Sequence, residues 1–329
     1  MGLNNRKENR KMEQTIQLSD HFGYRRLIRF TIPSILMMIF TSIYGVVDGF
    51  FVSNFVGKTS FAAVNFIMPF LMITGVMGFM FGTGGSALIA KIMGEGKKEK
   101  AQKIFSLLIM ATIICGIVIG AISIIFLRPV AVFLGARGEM LEECIIYGRI
   151  ILVALPFLML QYAFSSLAVT AEKPKLGLIV TGVINMVGDA LFMAVFQWGI
   201  AGAAMASALG QIVGGIIPLI YFARKNTSRL RIVRPEWDGR ALLRICTNGC
   251  SELMSNMLYN TQLMKYAGED GVTAYGTIMY VNFIFIAIFI GYATGVAPVI
   301  SYHYGAGNTK ELKSLLKKSS ALILISSAL

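Results

Sequence analysis

The sequence predicts an all-α membrane protein that crosses the bilayer several times. Of its 329 residues, 56% are hydrophobic and 14% are charged, against roughly 25% charged residues in soluble domains. The charged residues separate long apolar stretches, and about 20 apolar residues are enough for a helix to cross the hydrocarbon core. In addition, residues 61–96 resemble residues 272–307, which indicates that the chain contains two similar halves.

The charge-free stretches predict nine membrane-spanning helices, which we number as spans one to nine. The first four lie near Leu27–Val52, Thr59–Ala90, Ile104–Leu127 and Ile145–Ala168. Because Leu176–Ala223 is too long for one span, we divide it into spans five and six at Gln197–Gly199, where an interfacial tryptophan and a turn glycine fit. Span seven lies near Leu242–Met264, span eight within Gly271–Thr309, and span nine begins near Leu312.

The distribution of Lys and Arg predicts the orientation of these spans. If the loops alternate sides, 25 of the 30 Lys and Arg residues fall on the side of the N-terminus. Cytoplasmic loops are enriched in these residues, so we predict a multi-pass protein of the cell membrane with a cytoplasmic N-terminus. The net charge of +13 then reflects topology, and we expect no nucleic-acid partner because no aromatic residues interleave with the basic ones. The polar, basic first 26 residues do not resemble a removable signal peptide.

The internal repeat predicts how the spans are grouped. At a constant offset of 211 residues, Gly94 aligns with Gly305 and Gly96 with Gly307. Six spans separate the copies, so the repeat is parallel, and it predicts two six-helix bundles related by an axis along the membrane normal. We therefore expect a cytoplasmic tail (1–26), a six-helix bundle (27–223), a linker (224–240) and an incomplete second bundle (241–329). The repeat predicts twelve helices in a complete chain of about 450 residues, of which about nine are present here.

Two acidic residues within the predicted spans are the first candidates for function. Asp48 is the only charged residue between Arg29 and Lys58, and Asp189 is the only one in Leu176–Ala223. An ionised acid in hydrocarbon costs several kcal/mol, so such a residue usually binds something or faces a water-filled cavity. Counting residues from the neighbouring loops places both acids at a similar depth in the outer half of the membrane.

Two neutral polar residues are predicted at the same depth. Asn185 lies one helical turn before Asp189 and shares its helix face. Ser207 reaches a comparable depth on span six after about two turns. Two carboxylates, an amide and a hydroxyl at one level predict a site for a proton or a hard cation such as Na⁺, which Asp48 and Asp189 would ligate. The alternative is that each acid is protonated and hydrogen-bonded in helix packing.

Two further residues carry hypotheses of their own. Glu252 on span seven is a third buried acid, and it is either a functional residue of the second half or a protonated packing residue. Pro33 lies inside span one, where it removes a backbone hydrogen bond and permits bending, so we consider it as a hinge. The four cysteines and two histidines show no zinc-ligand spacing, and we expect no cofactor besides the coupling ion.

The sequence resembles the first half, and the start of the second, of the multidrug and toxic compound extrusion family. The resemblance rests on five motifs: IPSI, VVDGFFVSNFVG, GEGKKEKA, NMVGDALF and WGIAGAAMASALGQ. It implies a fold of twelve helices in two bundles and the exchange of Na⁺ or H⁺ for organic, often cationic, compounds. By this resemblance Asp48, Asn185, Asp189 and Ser207 match the family's cation site, although many members carry threonine at the position of Ser207. Pro33 matches its bending proline, and Glu252 resembles an acid of some branches whose partners lie on a tenth helix.

We therefore predict a monomeric secondary active transporter that exports drug-like, amphipathic cations and contacts membrane lipid. The first alternative is a related flippase for lipid-linked sugars, which would need a larger basic or polar cavity. The second is a membrane-embedded enzyme, for which the sequence offers no histidine pair and no Ser-His arrangement.

Overall fold

The computed structural model of the protein describes residues 16–173, 178–226, 228–248 and 287–328, and these residues form helices and short connections without a strand. The helices of the first half are α1 (Tyr24–Phe51), α2 (Lys58–Gly94), α3 (Lys98–Leu134), α4 (Gly138–Val153), α5 (Leu155–Thr170), α6 (Leu178–Asp189) and α7 (Gly199–Ala223). They are followed by α8 (239–248), α9 (287–305) and α10 (Thr309–Ala328). Two helices continue as π-helix, α1 over Val52–Val56 and α6 over Ala190–Val195.

The observed helices confirm an all-α fold that crosses the membrane several times. Four described segments are long and apolar enough to span a bilayer: Tyr24–Ile43, Ala62–Gly94, Lys98–Leu134 and Gly199–Ala223. The predicted break between spans five and six is present, with Gln197 and Gly199 in the left-handed region at φ 53° and 59°. Most of span seven and the start of span eight lie outside the described residues.

Span four differs from the single helix that we predicted near Ile145–Ala168. It consists of α4 and α5, which meet at an angle of 57°. Pro156 lies in the first turn of α5, where it lacks the N–H that would bond to the carbonyl of Leu152 and its ring crowds that carbonyl. A proline is the usual cause of such a kink. Pro156 was therefore a signal for the bend in the sequence, but our prediction rested on hydropathy alone.

Small residues and aromatic rings pack the helices of the first half. A Cβ added to Gly78 of α2 would lie 2.5 Å from Cα of Met159 on α5, so these two backbones touch directly. Close approach through small residues is the main source of helix association in membranes. In a second contact of the same half, the ring of Phe222 on α7 lies 5.1 Å from that of Phe105 on α3 and 5.7 Å from that of Phe164 on α5.

The two halves meet at a reciprocal contact between α2 and α9. A Cβ on Gly94 would collide with the carbonyl oxygen of Tyr302, and a Cβ on Gly305 would collide with that of Lys91. Tyr302 stands 211 residues after Lys91, as Gly305 does after Gly94. A contact that exchanges equivalent residues is what a two-fold axis between the halves produces, which supports the parallel repeat.

Five segments gather at one end of the molecule, which we call the inner end (residues 16–23, 94–103, 171–173, 224–238 and 305–318), and three of them, 94–103, 224–238 and 305–318, carry an excess of Lys and Arg. Gln102 donates to the carbonyl oxygen of Arg229 at 3.1 Å, and Lys103 pairs with Glu236 at 2.8 Å. Lys91 lies over the ring of Tyr304 at 5.2 Å, which links the two halves at this end. The described loops that we predicted on one side therefore lie together, while the cytoplasmic location of this end stays a prediction.

Candidate functional site

The candidate site lies where α6 and α7 pack closely as a hairpin. A Cβ on Gly188 of α6 would lie 3.1 Å from Cβ of Ala206 on α7, and one on Gly202 would lie 3.0 Å from the carbonyl oxygen of Phe192. The hairpin is closed beyond the π-helix by Trp198, whose ring stacks on that of Phe192 at 5.1 Å. Glycine and alanine thus let polar side chains from the two helices reach one another.

Three of the predicted site residues lie in this hairpin, and we call Asn185, Asp189 and Ser207 the α6–α7 site. The amide Nδ2 of Asn185 donates to Oγ of Ser207 at 3.4 Å, a long hydrogen bond. Asn185 is 3% exposed, and Asp189, one turn further along the same face, is 0% exposed. The arrangement offers a carboxylate, an amide oxygen and a hydroxyl to a small cation or a proton.

A π-helix begins directly after Asp189, at Ala190. Such wider turns often mark functional sites in helices because they change the direction of the side chains that follow. The second π-helix begins at Val52, four residues after Asp48, and the two π segments contact each other. Sequence analysis missed both, since no residue pattern that we used distinguishes a π turn from an α turn.

Asp48 lies on α1, which packs against α6, but its side chain is outside the part of the molecule that the structure describes. Its participation in the site therefore stays a prediction. Glu252 lies outside the described residues altogether.

Pro33 lies inside α1, next to the place where this helix contacts α9. The residues in contact there are Thr31, Ser34 and Ile35 of α1 and Gly291 and Gly295 of α9. A hinge at Pro33 would thus act on the boundary between the halves, and that role also stays a prediction.

Two glutamines that sequence analysis did not single out are partly buried in the first half. Gln161 on α5 and Gln211 on α7 each bury an Oε1 atom that accepts no hydrogen bond from the described residues. Each is an isolated amide in an apolar run, a signal that the sequence did contain. We therefore add both to the candidate functional residues.

Comparison with known proteins places these features in context. A family model described as MatE matches residues 33–195 and 245–329. The multidrug export protein MepA of Staphylococcus saprophyticus is 24% identical over 320 residues, which cover 93% of this chain and 70% of that protein.

Solved structures give the same fold. A crystal structure of MATE in the straight conformation superposes with a TM-score of 0.84 at 22% identity, covering 95% of this chain and 72% of that one. The outward-facing conformation of a multidrug resistance MATE family transporter of the MOP superfamily gives the same TM-score, identity and coverage.

Proposed function

The chain belongs to the MatE family, and from this membership we propose that it is a secondary active efflux transporter that exchanges Na⁺ or H⁺ for organic, amphipathic cations. The observation that carries the proposal is the buried Asp189 in one site with the contact between Asn185 and Ser207. The MepA relatives, which are multidrug export proteins, support the class of substrate.

Charge neutralisation would couple the ion to the drug at this site. Asp48 and Asp189 together bring two negative charges into a poorly solvated region, and a Na⁺ ion or a proton removes one unit of that charge. The attraction for a cationic drug then weakens. Because ion and drug compete for the same carboxylates, binding of one favours release of the other, as exchange transport requires.

Movement of the two halves would expose the site alternately to the two sides of the membrane. Bundles related by an axis along the membrane normal can rock against each other around a central site. The glycine contact of α2 with α9 lies at the inner end, and the contact of α1 with α9 lies beside Pro33. Bending of α1 at Pro33 would couple occupation of the site to this movement.

The flippase for lipid-linked sugars is not favoured. It would require basic or polar residues along a large cavity, whereas the described helices are rich in methionine and aromatic residues and carry few Lys or Arg within the spans. A membrane-embedded enzyme is also less well supported, because the whole chain contains only two histidines and the MepA relatives are export proteins.

A transport assay in vesicles with an imposed Na⁺ or pH gradient tests the proposal. We expect Asp189→Asn to abolish gradient-driven export of a fluorescent cationic drug while leaving membrane insertion intact, because a buried amide costs less than a buried charge. The matched control is Glu142→Gln, which removes an exposed carboxylate paired with Arg128 at 3.0 Å. Export by Asp189→Asn at the wild-type rate under both gradients would contradict the proposal.

A further inference from the structure

Residues 16–23, which precede α1, form a strap across the inner end. One side of the strap is bound to the first half, where the N–H of Leu18 donates to Oε1 of Glu172 at 2.8 Å. Arg229 donates to Oε1 of Gln17, and Arg229 also lies 3.7 Å from Glu172. These partners belong to the loops after α5 and α7, so this side of the strap is fixed to the bundle that α1 belongs to.

The other side of the strap is bound to the second half through Glu311, in the first turn of α10. The N–H of Phe22 donates to Oε1 of Glu311 at 2.9 Å, and Nδ1 of His21 lies 2.6 Å from Oε2. Lys318, two turns further along α10, donates to the carbonyl oxygen of Phe22. Glu311 is 6% exposed, so its two oxygens depend on the strap for their hydrogen bonds.

An apolar layer lies beneath these polar contacts and joins the same two halves. The first half contributes Leu18, Phe22, Leu27, Phe30 and Val169, and the second half contributes Tyr292, Val296, Val299 and Leu315. Phe22 is fully buried and its ring meets that of His303 edge-on at 6.5 Å. The strap and this layer thus bridge the two halves at the inner end.

The two sides of the strap differ in how readily they can open. The side chain of His21 is 74% exposed, so water can replace its contact with Glu311 as soon as the halves separate. Burial acts to raise the pKa of Glu311, but the hydrogen bond from Phe22 and the neighbouring His21 and His303 outweigh it and lower that pKa. An ionised carboxylate released into water is well solvated, whereas the Leu18–Glu172–Arg229 contacts lie within one half and need not break.

We propose that the strap is the inner gate of the transporter: its Glu311 side holds the halves together in this conformation and must release for the cavity to open towards the inner end. Glu311 and His21 are thus positioning residues of the transport cycle, which act on the gap between the halves rather than on the drug or the ion. The inference rests on the proposed transport function and adds a specific moving contact to it.

Reversible cross-linking tests which side of the strap must move. In a variant without the four native cysteines, His21→Cys with Glu311→Cys would be joined by a short thiol-reactive cross-linker, fastening the strap to the second half. We expect gradient-driven export to stop on cross-linking and to return on cleavage of the linker. The matched control, Gln17→Cys with Arg229→Cys, fastens the strap to its own half and should keep export. Undiminished export by the cross-linked His21/Glu311 pair would overturn the proposal.

A distance measurement that does not depend on transport separates failure of the gate from failure of the proposed function. Spin labels on the exposed Arg234 and Lys317 would report the separation of the two halves at the inner end. Glu311→Ala should shift the distance distribution towards longer values, whereas Glu95→Ala, which breaks a local pair with Lys97, should not. If Glu311→Ala folds and its distribution of spin-label distances is unchanged, the proposal of a gate is overturned even if export is confirmed. If that variant does not fold, the cross-linking result decides.

Discussion

Ser207 offers one neutral oxygen to the α6–α7 site, and this limits what its removal can do. We expect Ser207→Ala to raise the ion concentration for half-maximal export about fivefold, since one neutral hydrogen bond is worth about 1 kcal/mol. Ser207→Thr keeps the hydroxyl and should stay close to the wild type. The measurement is the Na⁺ or H⁺ dependence of drug export in vesicles. A complete loss of export in Ser207→Ala, with normal insertion, would show that the hydroxyl does more than ligate.

The sequence was enough to predict that three residues belong to one site, but not to predict the π-helix beside them. Asn185 and Asp189 follow from helical periodicity, and Ser207 follows from counting turns on the returning helix. The π-helix after Asp189 could not be predicted, because it depends on how α6 packs rather than on local residue types. Glu311 was missed because a single acid beside a basic segment is typical of a solvated surface, whereas here the strap covers it.

At the scale of elements, the close packing of α2 on α5 depends on a glycine. Gly78→Ala would place a Cβ 2.5 Å from Cα of Met159, and backbone atoms cannot move aside as the tip of a side chain can. We expect a loss of roughly 1–3 kcal/mol of stability, the usual range for overpacking. Thermal unfolding in detergent measures it. Gly239→Ala is the control, since its nearest neighbour is the Trp237 ring nitrogen at 3.8 Å; equal melting temperatures for the two variants would contradict this view of the packing.

The limits of spans one and two were close to the observed helices, whereas α3 (Lys98–Leu134) extends beyond the predicted Ile104–Leu127 at both ends. Charge and hydropathy set the limits of the membrane span, and a helix can continue past them. Hydropathy indicates whether a segment enters the membrane, but it does not give the direction of the helix there. The bend between α4 and α5 was therefore not predicted. Pro156 was the local signal, and its effect depends on the packing of α5 against α2 and α7. Length and composition therefore predicted the elements better than their shapes.

For the whole molecule, the 211-residue repeat was the most informative feature of the sequence. The offset pairs Gly94 with Gly305, and in the fold each of these glycines lies against a backbone carbonyl of the other helix. A repeat in the sequence does not indicate whether its two copies contact each other in the fold. That the copies meet at the inner end, beside the strap, follows only from the arrangement of the halves.

This reciprocal contact predicts how substitutions of the two glycines combine. A Cβ on either residue must push α2 and α9 apart at the same crossing, because each meets a backbone carbonyl, of Tyr302 or of Lys91. Gly94→Ala and Gly305→Ala should therefore loosen the inner end by similar amounts. Once the helices have separated to accept one methyl group, the second meets less resistance, so the double variant should cost less than the sum of the two single variants.

A double-mutant cycle measures this coupling through the melting temperature in detergent and through the distance between spin labels on Arg234 and Lys317. Substitutions at distant, independent sites add to within about 0.5 kcal/mol, so a clear shortfall from additivity in the double variant identifies a shared contact. Gly239→Ala combined with either substitution supplies the additive control. Strict additivity of Gly94→Ala and Gly305→Ala, or an effect of only one of them, would mean that the two halves do not meet symmetrically at this crossing and that the inner end is held by the strap and its apolar layer alone.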